Sequence, residues 1–147
     1  MCRMERGTKR ILIIDDDKLI LLSFKHVLEL EGYIVDTAET GNEAIRKSIA
    51  NFYNLALIDL RLPDMEGTRL LTEMNETTPR MRKIILTGHV DSQNATAALK
   101  GAADDYMTKP SELSDLVMAI KEQLRKQDQE KGAEKESLNT LKLEAEH

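Results

Sequence analysis

Two adjacent carboxylates, Asp15 and Asp16, a third at Asp59, a hydroxyl at Thr87 and an ammonium at Lys109 each follow directly on a short strand-like segment. Runs of β-branched and aliphatic residues of that length suit strands buried in a parallel sheet, and such sheets gather ligands at the carboxyl ends of their strands. The polar groups are therefore expected to converge. Three neighbouring carboxylates repel one another unless a cation is present. Mg2+ prefers oxygen ligands, keeps several waters and takes one or two carboxylates plus a phosphate. Asp16 and Asp59 are the expected direct ligands, with Asp15 acting through water. A cation there, beside Thr87 and Lys109 to meet an anion, is equipment for phosphoryl transfer.

Each residue also has a purely structural explanation. Asp15 and Asp16 could open a loop in which Asp17 caps the following helix. Thr87 alone could make one ordinary hydroxyl hydrogen bond, and Tyr106 could be a core or rim aromatic. Lys109 has the stronger claim, because a lysine between a strand and Pro110 points a compact charge toward the strand ends. His26, His89 and His147 share no spacing that suggests a metal or catalytic cluster.

The elements that must position these groups alternate along the chain. Strands are expected at 11–14, 34–38, 55–59, 83–87 and 103–107, each followed by an amphipathic helix, five of each in all. That alternation is what the crossovers of a parallel sheet require. The first helix, from about Lys18 to Glu31, offers Ile20, Phe24, Val27 and Leu28 to the core, with Gly32 placed to end it. Its run Leu19, Ile20, Leu21, Leu22 cannot all turn inward, and the face beginning at Ile20 is expected to stay accessible beside Asp16. Thr40 and Glu43 form a capping box ahead of Ala44, Ile45, Ser48 and Ile49. Leu70, Leu71 and Met74 face inward from the third helix, and Pro79 closes that segment. A fourth helix, 91–100, is alanine-rich with Leu99 as its one large anchor, and should be the most mobile. Leu113, Leu116, Val117, Ile120 and Leu124 give the last helix a strong stripe.

At 147 residues with 41% hydrophobic composition the chain suits one domain. Its formal net charge of -5 and the lack of a Lys/Arg cluster argue against direct nucleic-acid binding. The single cysteine, Cys2, excludes disulfide frameworks and agrees with a reducing compartment, the cytoplasm by default. Residues 1–8 read as a flexible start; no signal peptide or membrane span is expected, because the apolar run after the basic start stops at Ile14. From Gln127 the composition turns strongly charged with leucines at 138, 141 and 143, so 128–147 reads as a solvated helix extension, a disordered tail, a linker to an output module or a dimer-forming helix.

The ordered set Asp15, Asp16, Asp59, Thr87, Tyr106, Lys109 and Pro110 resembles the receiver domain of two-component response regulators, over about Lys9 to Lys126. The resemblance implies a flavodoxin-like doubly wound α/β fold, with five parallel strands ordered 2-1-3-4-5 and five helices. It implies that Asp59 is the phosphoacceptor, that Asp15, Asp16, Asp59 and the Arg61 carbonyl hold Mg2+, that Thr87 and Lys109 grip the phosphoryl oxygens, and that Tyr106 is the switch aromatic. Arg61 and His89 stand at positions that tune the lifetime of the phosphoryl group in such domains. The implied partner is a sensor histidine kinase or phosphotransfer protein, with a receiver homodimer through the fourth helix, fifth strand and fifth helix as a further expectation. Such a protein is a switch that accelerates its own phosphorylation and dephosphorylation, not a turnover enzyme. Two alternatives stand beside it. A haloacid-dehalogenase-like phosphohydrolase also forms an aspartyl phosphate, but places a second Asp two residues after the nucleophile, where this chain has Arg61. A stand-alone scaffold or adaptor would leave the pocket structural.

Overall fold

The computed structural model describes residues 8–88, 102–108 and 112–145, with Thr87 and residues 134–145 described by backbone alone. Five strands, β1 (Arg10–Ile14), β2 (Ile34–Ala38), β3 (Leu55–Asp59), β4 (Arg82–Thr87) and β5 (Asp105–Thr108), form one sheet in the order β2-β1-β3-β4-β5. Every pairing is parallel. Four helices appear among the described residues: α1 (Lys18–Leu30), α2 (Gly41–Ala50), α3 (Gly67–Thr77) and α4 (Leu113–Ala145). The helix expected at 91–100 lies outside the described residues.

Strand periodicity divides the core in two. Leu12, Ile14, Ala56, Ile58 and Ile85 face α2 and α3, whereas Ile11, Ile13, Leu55, Leu57 and Ile84 face α1 and α4. Both faces are covered, which is why the strands read as unbroken apolar runs and not as alternating ones. On α3, Leu70, Leu71 and Met74 are all buried, each worth about 2 kcal/mol by transfer. On α1 the inward residues centre on Leu21 and Leu28, while Leu19 and Leu22 are 74% and 65% exposed and Ile20 is half-buried. The exposed apolar face is therefore that of Leu19 and Leu22, not one beginning at Ile20. Ile49 likewise faces solvent, because Ala44 and Ser48 take the inward positions of α2.

The helix ends follow local chemistry. Asp17 caps α1, its carboxylate accepting from the amides of Leu19 and Ile20. At the other end Gly32 takes φ +97°, donating to the Glu29 carbonyl while Tyr33 donates to that of Leu28, the paired bonds of a Schellman motif. Thr40 Oγ1 accepts from the Glu43 amide, and Glu43 Oε1 reaches back to the amide of Glu39.

The last buried residue of α4 among those with described side chains is Gln127. Its amide donates to the carbonyls of Asn54 and Arg80 and accepts from Asn54 Nδ2. Beyond it the helix continues without a break to Ala145. No helix among the described residues is long and apolar enough to cross a membrane.

Candidate functional site

The chain leaves β1 for β2 on one side of the sheet and reaches β3 on the other, so the carboxyl ends of β1 and β3 flank the point where strand order reverses. Open α/β sheets bind ligands in that crevice. Asp15 follows β1 directly and extends its ladder by one bond, its amide donating to the Ala38 carbonyl at 3.0 Å. Asp59 is the final residue of β3. The sheet thus brings together carboxylates that are 44 positions apart along the chain: one oxygen from each of Asp15, Asp16 and Asp59 falls within 4.8 Å of the others. Asp15 and Asp59 are buried and Asp16 is exposed. Asp15 Oδ1 accepts from the Asp17 amide at 3.0 Å, and Asp59 Oδ1 from the Arg61 amide at 3.4 Å.

Three hard, anionic oxygen donors at that spacing fit a divalent cation such as Mg2+, whose ligands sit about 2.1 Å from the ion and so about 3 to 4 Å from each other. Among the described residues this is the one group of three or more acidic, histidine or cysteine side chains with such spacing.

The loop after β3 is held at both ends. The Gly67 amide donates to the Leu60 carbonyl at 2.7 Å, and Arg61 and Glu66 form an isolated antiparallel bridge. A Cβ on Gly67 would lie 2.5 Å from the Asp59 carbonyl oxygen, so this close approach needs glycine.

Thr87 ends β4 opposite Thr108, which places its backbone at the carboxyl edge. Tyr106 lies in β5 opposite Ile85 and packs, half-buried, against the core on the α2 and α3 face. Lys109, Pro110 and His89 lie outside the described residues. Among the described residues, nothing lies within 4 Å of a Cβ built on Gly88, next to Thr87.

Residues 11–121 match the model of the response regulator receiver domain. The chain belongs to the response regulator receiver family. Its sequence is 35% identical over 122 residues to the response regulator ArlR of Staphylococcus saprophyticus, a match covering 82% of this chain and 54% of that protein. The chain thus spans about half the length of this relative. A CheY-like receiver domain protein from Methanospirillum hungatei superposes with a TM-score of 0.80 at 47% identity, covering 84% of this chain and 99% of that one. The regulator TrrA of Thermotoga maritima, solved in complex with Mg(2+)-BeF, gives 0.72 at 31% identity, covering 79% and 99%. Receiver domains are the phosphorylated switches of two-component signalling, served by histidine kinases or phosphotransfer proteins.

Three features of this receiver domain carry no signal in sequence spacing. Asp64 bonds to the start of α2, its partners 22 and 23 residues away in sequence. The Lys83 ammonium is buried, donating to the carbonyls of Thr78 and Met81, and burial pushes it down to about 8. Gln127 and Asn54 pair across 73 residues. A polar residue within an apolar stripe, such as Lys83 at the head of Ile84 to Leu86, was the available hint.

Proposed function

We propose that Asp59 is the phosphoacceptor of this receiver domain and that Asp15, Asp16 and the Arg61 carbonyl join it in holding Mg2+. The observation that carries the reading is the convergence of Asp15, Asp16 and Asp59 at the switch point of the sheet. A carboxylate is a weak nucleophile, so the donor must carry a good leaving group, such as phosphohistidine or a small acyl phosphate. As an Asp59 oxygen bonds to phosphorus, the bond from phosphorus to the donor's nitrogen or oxygen breaks. Bound Mg2+ supplies positive charge against the phosphoryl oxygens. Lys109 adds a second cation and Thr87 a hydrogen-bond donor. Water bonding to phosphorus opposite Asp59 then breaks the bond from phosphorus to the Asp59 oxygen, releasing inorganic phosphate and the free carboxylate, so the domain promotes its own phosphorylation and dephosphorylation.

The exposed pair Leu19 and Leu22, on the helix that Asp17 starts, offers an apolar contact for the phosphodonor protein. Signal leaves by repacking: Thr87 moves toward the phosphoryl group and Tyr106 turns into the vacated space, biasing an existing two-state equilibrium. The face of the predicted fourth helix, β5 and α4 then presents a surface to a partner or a second receiver. The domain occupies 9–127, with 128–147 a charged tail that continues the last helix as far as Ala145, and acts in the cytoplasm.

Incubation with acetyl phosphate and Mg2+ tests the assignment. Intact mass should rise by one phosphate in the wild type, and not in Asp59→Asn or after chelation of Mg2+. Undiminished uptake by Asp59→Asn would reject it.

A further inference from the structure

Asp64 lies in the loop that leaves β3, yet its carboxylate is bonded to a different element. Oδ1 accepts from the Gly41 amide and Oδ2 from the Asn42 amide, both at 2.8 Å. These are the first two amides of α2, which have no partner within the helix. The next one, Glu43, is already met by Thr40, so the capping box does not need Asp64. The hydrogen bond from Asn42, with a further one from Gly41, holds the Asp64 carboxyl below the usual carboxylate range. Packing repeats the message: a Cβ on Gly41 would collide with the Met65 side chain, which itself lies against the buried core. The far end of the loop is therefore pressed onto α2 by a two-pronged hydrogen bond and a side-chain contact. The base of the loop is closed where the Gly67 amide, at the start of α3, donates to the Leu60 carbonyl. Arg61 sits between these anchors.

We infer that Asp64 is a positioning residue for the metal site, latching the 60–66 loop to α2 so that the Arg61 carbonyl is held beside the carboxylates. This rests on the assignment of Mg2+ to Asp15, Asp16, Asp59 and Arg61 above. A backbone carbonyl adjusts only as its loop adjusts, and partners that orient a ligand commonly change metal affinity when removed.

Titration calorimetry with Mg2+, well below the melting temperature, tests it on the whole chain. Asp64→Ala should raise the Mg2+ dissociation constant about tenfold. Asp64→Asn, which still accepts from one amide, should fall between that and wild type. Gly41→Ala keeps the carboxylate but displaces Met65, and should weaken Mg2+ in the same direction. Asp16→Ala serves as the reference. If it weakens binding while Asp64→Ala and Gly41→Ala match the wild type and lower only the melting temperature, the latch is merely structural and the inference falls. If Asp16→Ala itself leaves binding unchanged, the metal assignment falls and the inference with it.

Discussion

The two ends of the sheet handle charge in opposite ways. At the carboxyl edge three groups of one sign, Asp15, Asp16 and Asp59, are drawn within 4.8 Å of each other. At the amino edge charges of opposite sign are paired, with Arg10 Nε the one buried side-chain donor among the described residues that lacks a hydrogen-bond partner. Arg82 pairs with Asp104 and Glu130, Asp104 accepts from the Lys83 amide, Lys9 pairs with Asp128, and Gln127 ties α4 to Asn54 and Arg80. Paired opposite charges and hydrogen bonds stabilise a fold by themselves, whereas like charges held close together repel, a cost that a bound cation lowers. The amino edge is thus built for the fold and the carboxyl edge for a ligand.

This contrast breaks most visibly at Gln127. Replacing it with Ala removes the Gln127 donor from the Arg80 carbonyl, one of two donors from the Asn54 carbonyl, which keeps the Arg82 amide, and the acceptor that Asn54 Nδ2 uses. The expected loss is about 1 to 3 kcal/mol in denaturant unfolding. Mg2+ affinity should be unchanged; a loss of affinity as large as the loss of stability would show that the two edges are not separate.

The opposite pattern is expected at Asp16. Asp16→Ala should weaken Mg2+ binding about tenfold, and more than Asp15→Ala does, yet raise the stability of the metal-free protein by about 0.5 to 1 kcal/mol at low ionic strength. Salt should shrink that gain. Destabilisation of the metal-free protein would mean that Asp16 is part of the fold's own bonding.

Lys83 gives a smaller, pH-dependent effect. Burial pushes its ammonium down from 10.5 to about 8, with Asp104 acting the other way. Below pH 8 the ammonium is charged in the folded and unfolded chain alike, and the cost of burying it is fully present. Between pH 8 and 10.5 the fold has released a proton that the unfolded chain still binds, so stability rises with pH. The two carbonyls that accept from Nζ favour the charged form and moderate the rise, which stays below about 2 kcal/mol between pH 8 and 9.5. Melting temperatures from pH 7 to about 9.5 should show it in the wild type and not in Lys83→Met. Stopping there avoids Tyr53, whose hydroxyl burial and Asp36 raise above its usual value of 10.0. A flat wild-type profile would remove Lys83 as a charged core group.

Legibility in the sequence followed the same division. The second and third strands fall at their expected residues, 34–38 and 55–59, because apolar runs bounded by polar residues leave little choice of register. β4 begins one residue early, at Arg82, and β5 runs from Asp105 to Thr108 against an expected 103–107, since pairing with neighbours sets the ends of short strands. The carboxylates of the site were readable because each sits where a strand stops. Contacts between distant loops were not. No periodicity joins Asp64 to Gly41, or Gln127 to Asn54, and which of four consecutive apolar residues on α1 faces out depends on where the sheet sits below it. Only the structure makes Leu19 and Leu22 the exposed pair.

A cation and a phosphoryl group on Asp59 are expected to complete the carboxyl edge. Thermal melting with Mg2+ and beryllofluoride, which stands in for the phosphoryl group, tests it most directly. A ligand that binds only the folded state raises the melting temperature, by about 5 °C or more for a chain of this size when it is well above its dissociation constant. That rise is expected in the wild type, with Mg2+ alone giving less, and neither Asp59→Asn nor Mg2+-free protein should respond to beryllofluoride. An equal rise in Asp59→Asn, or none in the wild type, would contradict the account.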